Sequence, residues 1–259
     1  MAASTEDELR AQQLAETLGL EQFATASNPA HCESSDVLLV VRSRGIYLQQ
    51  TGKGAPGPVT VEFGSVSMRH RRRGGHNELL GRAVGVTKKP GLRVLDATAG
   101  LGRDSFVLAD IDCRVTLCER EPLIVEMLAA GMDIASAAGD SWLMQVIGRM
   151  ELFPGDARTV PGSVLSKVDV IYLDPMFPNR DKKARVKKEM ALFHTLLDAS
   201  GSQDDADDLL RWALRQTVSR VVVKRSIRAP PLADRAPSHT IAGKAVRYDV
   251  YVLRGLNLI

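Results

Sequence analysis

The sequence predicts an α/β fold with a mostly parallel sheet, preceded by a small α+β module. Three observations carry that prediction. Short apolar runs at 92–96, 113–117 and 169–173 have the length and composition of buried parallel strands. Each run is closed by an acid: Asp96, Glu119 and Asp174. Helix-like segments separate them, the alternation expected of βαβ units.

The elements follow in order. Thr5 and Glu8 have capping-box spacing, and Leu9, Leu14, Leu18 and Leu20 suggest a helix after them. Val37 to Val41 and Ile46 to Gln49 flank Arg42-Ser43-Arg44-Gly45 and read as a hairpin. Thr51 to Pro58 is a Gly/Pro-rich loop, and Val59 to Phe63 reads as a further strand. Residues 1–90 thus form an accessory module ahead of a larger domain at 91–259. In that domain Pro122 to Ala138 and Leu143 to Met150 read as helices, followed by a short strand at Glu151 to Phe153. Asp204 to Gln216 is a helix whose acidic start suits the helix dipole. Arg220 to Lys224 is a strand. Ser238 to Ala242 and Ala245 to Leu253 flank Gly243-Lys244 as a closing antiparallel hairpin.

Length and composition bound the function. A chain of 259 residues can bury a sizeable core. Its net charge of +3 is mild, so basic character matters only where it clusters. One cluster is Arg69, His70, Arg71, Arg72 and Arg73, running into Gly74-Gly75-His76. A second, with Arg180, Lys182, Lys183, Arg185, Lys187 and Lys188, follows the acid at Asp174. Each reads as a phosphate-contacting segment or as a solvated face. The three cysteines, Cys32, Cys113 and Cys118, lack Cys-x-x-Cys spacing, which argues against a disulfide framework or a zinc site. No apolar run reaches membrane-spanning length. Glu6, Asp7 and Glu8 do not suit a signal peptide, and a cytoplasmic location is expected.

The first strand leads into Asp96-Ala97-Thr98-Ala99-Gly100-Leu101-Gly102-Arg103-Asp104. Glycines at 100 and 102 let backbone approach a ligand, and such a loop lies at the carboxyl end of a strand, where α/β folds bind ligands. Glu119 follows at the spacing from which a second-strand acid reaches ribose hydroxyls. Asp156, after Pro154-Gly155, lies where an adenine amino group could be held, or is simply a turn former. Ser105 stands at the third glycine position of a dinucleotide fingerprint, with Asp104 before it. A carboxylate there is poorly placed beside a pyrophosphate. It suits a ligand with a positive centre and an amine, such as S-adenosylmethionine (SAM).

These motifs, with Asp174-Pro175-Met176-Phe177-Pro178 and Lys187-Lys188-Glu189-Met190, resemble class I SAM-dependent methyltransferases. Among them they resemble the J-type family of bacterial small-subunit ribosomal RNA guanine-N2 methyltransferases. The Arg71-Arg72-Arg73-Gly74-Gly75 region resembles that family's accessory segment. The resemblance runs from about Val37 onward and implies a Rossmann-like, seven-stranded sheet. It implies methylation of one guanine amine in 16S rRNA of the small ribosomal subunit, with SAM as cofactor. The cofactor contacts it implies fall on Arg103, Asp104, Glu119, Arg120, Gly155, Asp156 and Asp174, beside Asp96, Gly100 and Gly102 of the loop. Met176 replaces the second proline of the common amino-methylating motif.

The chemistry expected of the motif is orientation and electrostatic preorganisation. Asp174 and the Pro175 carbonyl would accept hydrogen bonds from a weakly nucleophilic exocyclic amine, and Phe177 would stack on a base taken out of its helix. Arg71, Arg72, Arg73, Lys182, Lys183 and Lys187 are the candidate RNA contacts. No metal is expected, because no ligand cluster is visible. Two rivals remain. A nicotinamide-dependent oxidoreductase is disfavoured by Ser105 and the Asp-Pro-Met-Phe loop. A non-catalytic RNA-binding protein on this fold is disfavoured by the intact acids.

Overall fold

The computed structural model describes residues 5–23, 28–43, 45–66, 68–69, 78–175 and 205–256. Helix α1 (Thr5–Leu18) is followed by an antiparallel sheet of β1 (Val37–Arg42), β2 (Gly45–Gln50) and β3 (Val59–Thr60). The hairpin register pairs Val41 with Ile46 and Val37 with Gln50. The expected strand to Phe63 stops at Thr60 because the residues beyond it pack sideways. Val61 lies against Gly131, where any Cβ would come within 2.5 Å of it. Phe63 stacks on Phe106 at 5.4 Å, and Phe106 meets Trp142 edge-on at 5.8 Å.

After α2 (Leu79–Val84) the main sheet begins. It comprises β4 (Arg93–Asp96), β5 (Arg114–Glu119), β6 (Met150–Pro154), β7 (Val170–Leu173), β8 (Arg220–Ser226), β9 (His239–Ala242) and β10 (Val246–Val252). Their order is β6-β5-β4-β7-β8-β10-β9. Strands β4 to β8 run parallel to one another, and β10 runs antiparallel to both β8 and β9. The order reverses at β4 and β7, which puts a ligand crevice outside their carboxyl ends. Between the strands lie α3 (Arg103–Asp110), α4 (Pro122–Ser136), α5 (Ser141–Ile147), α6 (Gly162–Leu165) and α7 (Ala206–Leu214). The segment read as one helix to Met150 ends at Ile147. Gly148 follows, and Met150 already pairs with Val115 in the sheet.

Alternation along the strands sorts the core into two layers. Val94, Val115, Val170, Tyr172 and Val222 face a cluster with Phe106, Leu108, Met127 and Leu128. Leu95, Ile171, Leu173, Val221 and Val223 face another with Leu209, Leu210 and Ala213. The first layer also contains Leu14, Val41, Ile46, Leu48, Val59 and Phe63, so the N-terminal elements share its core. Arg69 serves that packing: its guanidinium lies 4.6 Å from the Trp142 ring and 2.7 Å from Asp140, which caps α5.

Candidate active site

The loop after β4 is tied across three strand ends. Ala97 N–H donates to the Tyr172 carbonyl of β7, and Ala99 N–H to the Cys118 carbonyl of β5. Asp96 organises the turn from inside: it accepts from Thr98 N–H at 3.1 Å and from the Ser105 hydroxyl. Both Asp96 and Ser105 are buried. Burial pushes the Asp96 carboxyl up to about 7, against the pull of those two hydrogen bonds. The serine in the third glycine position thus has a structural partner, the strand-end acid. Gly102 caps α3 with φ of 70°, and a Cβ there would strike Leu128 and Phe63. Gly100 has φ of 52° and nothing within 4 Å of where a Cβ would sit, so this part of the loop faces open space.

Glu119 ends β5 beside that loop. One carboxylate oxygen accepts from Gly100 N–H and the other from Glu121 N–H, both at 2.8 Å. Burial raises its carboxyl, opposed by those N–H groups. A carboxylate can accept about four hydrogen bonds, so beside these N–H groups Glu119 retains acceptor capacity for a ligand.

The centre of the site is a three-residue bridge. Lys224 Nζ lies 2.7 Å from Asp104 Oδ2 and 2.7 Å from Asp174 Oδ2. Tyr172, buried in β7, donates its hydroxyl to the same Asp104 oxygen at 2.7 Å. Asp174 N–H donates to Thr98 Oγ1 at 2.6 Å, which joins the end of β7 to the glycine loop. Asp174 Oδ1 has no hydrogen-bond partner among the described residues. The Asp174 side chain keeps 38% exposure, against 13% for Asp104 and 24% for Lys224. Desolvation raises the Asp174 carboxyl, Lys224 draws it down, and Asp104 pushes it up again. Burial alone would lower the Lys224 ammonium, but the two carboxylates outweigh it and raise it.

A second ion cluster covers the ends of β5 and β6. Asp156 caps the turn at Ala157–Thr159 and accepts from the Arg158 guanidinium at 2.8 Å, which holds its carboxyl below the usual range. Asp205 accepts from both Arg158, at 2.6 Å, and Arg120, at 2.9 Å.

The structure therefore brings Asp96, Gly100, Gly102, Asp104, Glu119 and Asp174 together around one loop, with Pro175 buried beside Asp174. Arg103 is exposed at the start of α3, and Arg120, Gly155 and Asp156 sit at the β5–β6 edge. Phe177, Arg71, Arg72, Arg73, Lys182, Lys183 and Lys187 lie outside the described residues. Sequence reasoning missed Lys224, Tyr172, Thr98 and Asp205. For Lys224 a signal existed: it directly follows the apolar run Val221-Val222-Val223, as the acids follow theirs.

The residues fit SAM on the chemistry of their side chains. Glu119 offers acceptors for hydroxyls, Asp104 an acceptor for an ammonium, and the glycine loop an open approach. Parallel sheet, loop and strand-end acids together define a class I SAM-dependent methyltransferase. The SAM-dependent methyltransferase family model matches residues 22–253. A solved SAM-dependent methyltransferase from Neisseria gonorrhoeae aligns with a TM-score of 0.70 at 31% identity, over 99% of this chain and 95% of that one. Two curated relatives carry the name ribosomal RNA small subunit methyltransferase J. The one from Marinobacter nauticus is 45% identical over 95% of this chain and 88% of its own length. The one from Thioalkalivibrio sulfidiphilus is 48% identical over 83% of this chain and 84% of its own. The chain belongs to the ribosomal RNA small subunit methyltransferase J family, and SAM is its cofactor.

Proposed function

We propose that this enzyme methylates the exocyclic N2 amine of a guanosine in 16S rRNA of the small ribosomal subunit, acting in the cytoplasm. The family names support the rRNA substrate. One geometric observation carries the chemistry: Lys224 holds Asp174 Oδ2, while Oδ1 has no partner among the described residues and remains as an acceptor.

When bound, SAM supplies an electrophilic methyl group on a sulfonium. Glu119 holds the ribose hydroxyls and Asp104 the amino group. Gly100, Gly102 and Asp96 shape the loop, and Arg103 and Arg120 flank it. Gly155 and Asp156 frame the adenine end. Asp174 Oδ1 and the Pro175 carbonyl would accept the two N–H groups of the guanine amine and so orient its nitrogen lone pair. As the N–C bond forms and the S–CH3 bond breaks, the electron pair would stay on sulfur in the departing thioether, and Asp174 or water would take the proton the nitrogen loses. Lys224 keeps Asp174 aimed and ionised before that step. Phe177 stacks on the extruded base. The accessory module at 1–90, through Arg71, Arg72 and Arg73, grips RNA with Lys182, Lys183 and Lys187.

The test is methyl transfer from labelled SAM to 16S rRNA and to 30S particles, with the modified nucleotide mapped. A single N2-methylguanosine is expected. Label on another atom or base, or none on either substrate, would sink the proposal.

A further inference from the structure

The amino ends of the parallel strands carry a charge pattern that methyl transfer does not use. Arg93 opens β4 and Arg114 opens β5, and the register pairs them directly. Neighbouring strands lie about 4.8 Å apart, so two like charges stand side by side, an arrangement that costs stability. A depression of about 350 Å³ opens there, lined by Arg93, Arg114, Arg149 and Lys167, with Glu151 as the acid on its wall. A second depression adjoins it, sharing Arg93 and Lys167 and adding Lys89 and Arg254. Arg149 pairs with Asp112 at 3.0 Å, and Lys89 with Asp169 at 2.9 Å. Arg93, Arg114, Lys167 and Arg254 are exposed, and among the described residues none of them has a side-chain hydrogen bond or ion pair.

A solvated face would disperse such charges or interleave them with acids. Here three acids, Glu151, Asp112 and Asp169, stand against six cations, two of which they pair, and the other four, Arg93, Arg114, Lys167 and Arg254, converge on two adjoining depressions. Guanidinium forks match phosphate oxygens in pairs, and a lysine adds a point charge beside them. We infer that this face is a second RNA-backbone site, on the opposite end of the sheet from methyl transfer. From Arg93 to Asp96 the strand rises about 10 Å, so the RNA gripped here is a segment other than the one that presents the target base. This inference rests on the rRNA reading above and adds to it a footprint wrapping both ends of the sheet.

The experiment is RNA binding between 50 and 200 mM salt, measured on 30S particles and on 16S rRNA, for the wild type and for the triple variant Arg93→Gln, Arg114→Gln, Lys167→Gln. Each lost phosphate contact should take about 1 from the slope of log affinity against log salt. The triple variant should lose about 2 to 3, bind roughly tenfold more weakly at the lower salt, and raise KM for RNA at constant kcat. SAM affinity should not move. If the triple variant misfolds, Lys167→Gln alone, in an exposed turn after α6, should still lower the slope by about 1. An unchanged slope and KM in a folded variant, with wild-type methylation intact, overturns this inference alone. A wild type that neither binds nor methylates the RNA overturns the rRNA reading and this inference with it.

Discussion

The two ends of one sheet carry opposite charge in opposite states. At the carboxyl ends Asp96, Asp104, Glu119, Asp156 and Asp174 are each held by N–H, hydroxyl or cationic partners. At the amino ends the side chains of Arg93, Arg114 and Lys167 are exposed and have no hydrogen-bond or ion-pair partner among the described residues. The backbone does not impose this, because sheets have only small net dipoles. On the roles proposed above, the difference teaches where each charge acts. Acids that would orient a small cofactor and one amine are fixed by the protein. Cations that would meet a polyanion can stay solvated until it arrives.

The largest effect should come from the acid with a spare oxygen. Asp174→Asn keeps the shape and the bond that the residue's own N–H donates to Thr98 Oγ1, but loses the charge that favours a developing positive nitrogen. Turnover should fall by roughly a hundredfold or more, with thermal stability and RNA affinity little changed. A stable, fully active Asp174→Asn would show that the carboxyl-end acids are architectural, and the contrast between the two ends would collapse.

Next is Glu119. Its replacement by Ala should weaken SAM binding by roughly 1.5–3 kcal/mol, as for a charged acceptor. Because Glu119 also receives Gly100 and Glu121 N–H, some melting temperature should be lost as well. Glu119→Gln separates the two effects by calorimetry. It keeps an oxygen for one N–H, so its affinity loss should exceed what its stability loss explains. Unchanged affinity in both variants would remove Glu119 from the cofactor site.

Lys224 gives a smaller and more diagnostic change. Removing its charge in Lys224→Met should cut kcat about tenfold, the scale of one charge-assisted bond. It should also raise the Asp174 pKa, since the ammonium is what draws it down. The acid limb of the kcat–pH profile should therefore move to higher pH, and Lys224→Arg should restore much of it. A profile that stays in place would make Lys224 a structural bridge only.

Much of this was legible in the sequence, and the reason is local. A buried parallel strand must be apolar throughout, so an acid at its end stands out, and Asp96, Glu119 and Asp174 all did. Glycines at 100 and 102 mark a loop because φ there is positive. What sequence could not give is pairing across the sheet. Lys224 lies 120 residues from Asp104 and 50 from Asp174, and they meet because β8 lies beside β7. Likewise Arg93 and Arg114 are unremarkable strand-opening residues until the register sets them side by side. Ser105 read only as a missing glycine, since its bond to Asp96 depends on how α3 docks.

The last prediction concerns stability against pH, and it also divides the two ends. Asp96 has its folded carboxyl pushed up to about 7 from 3.8, chiefly by burial. In that window the folded chain binds a proton that the unfolded chain has released. Stability from this group is therefore greatest below 3.8 and declines as pH rises towards about 7, where the decline ends. The slope is at most about 1.4 kcal/mol per pH unit. Asp96→Asn should remove it: the amide keeps an oxygen for Thr98 N–H and can donate to the Ser105 hydroxyl. The variant should lose least at the acid side and gain towards neutral pH, where the wild type must hold a desolvated charge. Neutralising Arg93 or Arg114 should leave the same curve untouched, because both are exposed side chains at the other end of the strands from Asp96. Denaturant melts of the three proteins at stepped pH read this directly. Parallel curves for wild type and Asp96→Asn would mean that Asp96 stays ionised in the fold, with Ser105 and Thr98 compensating its burial in full.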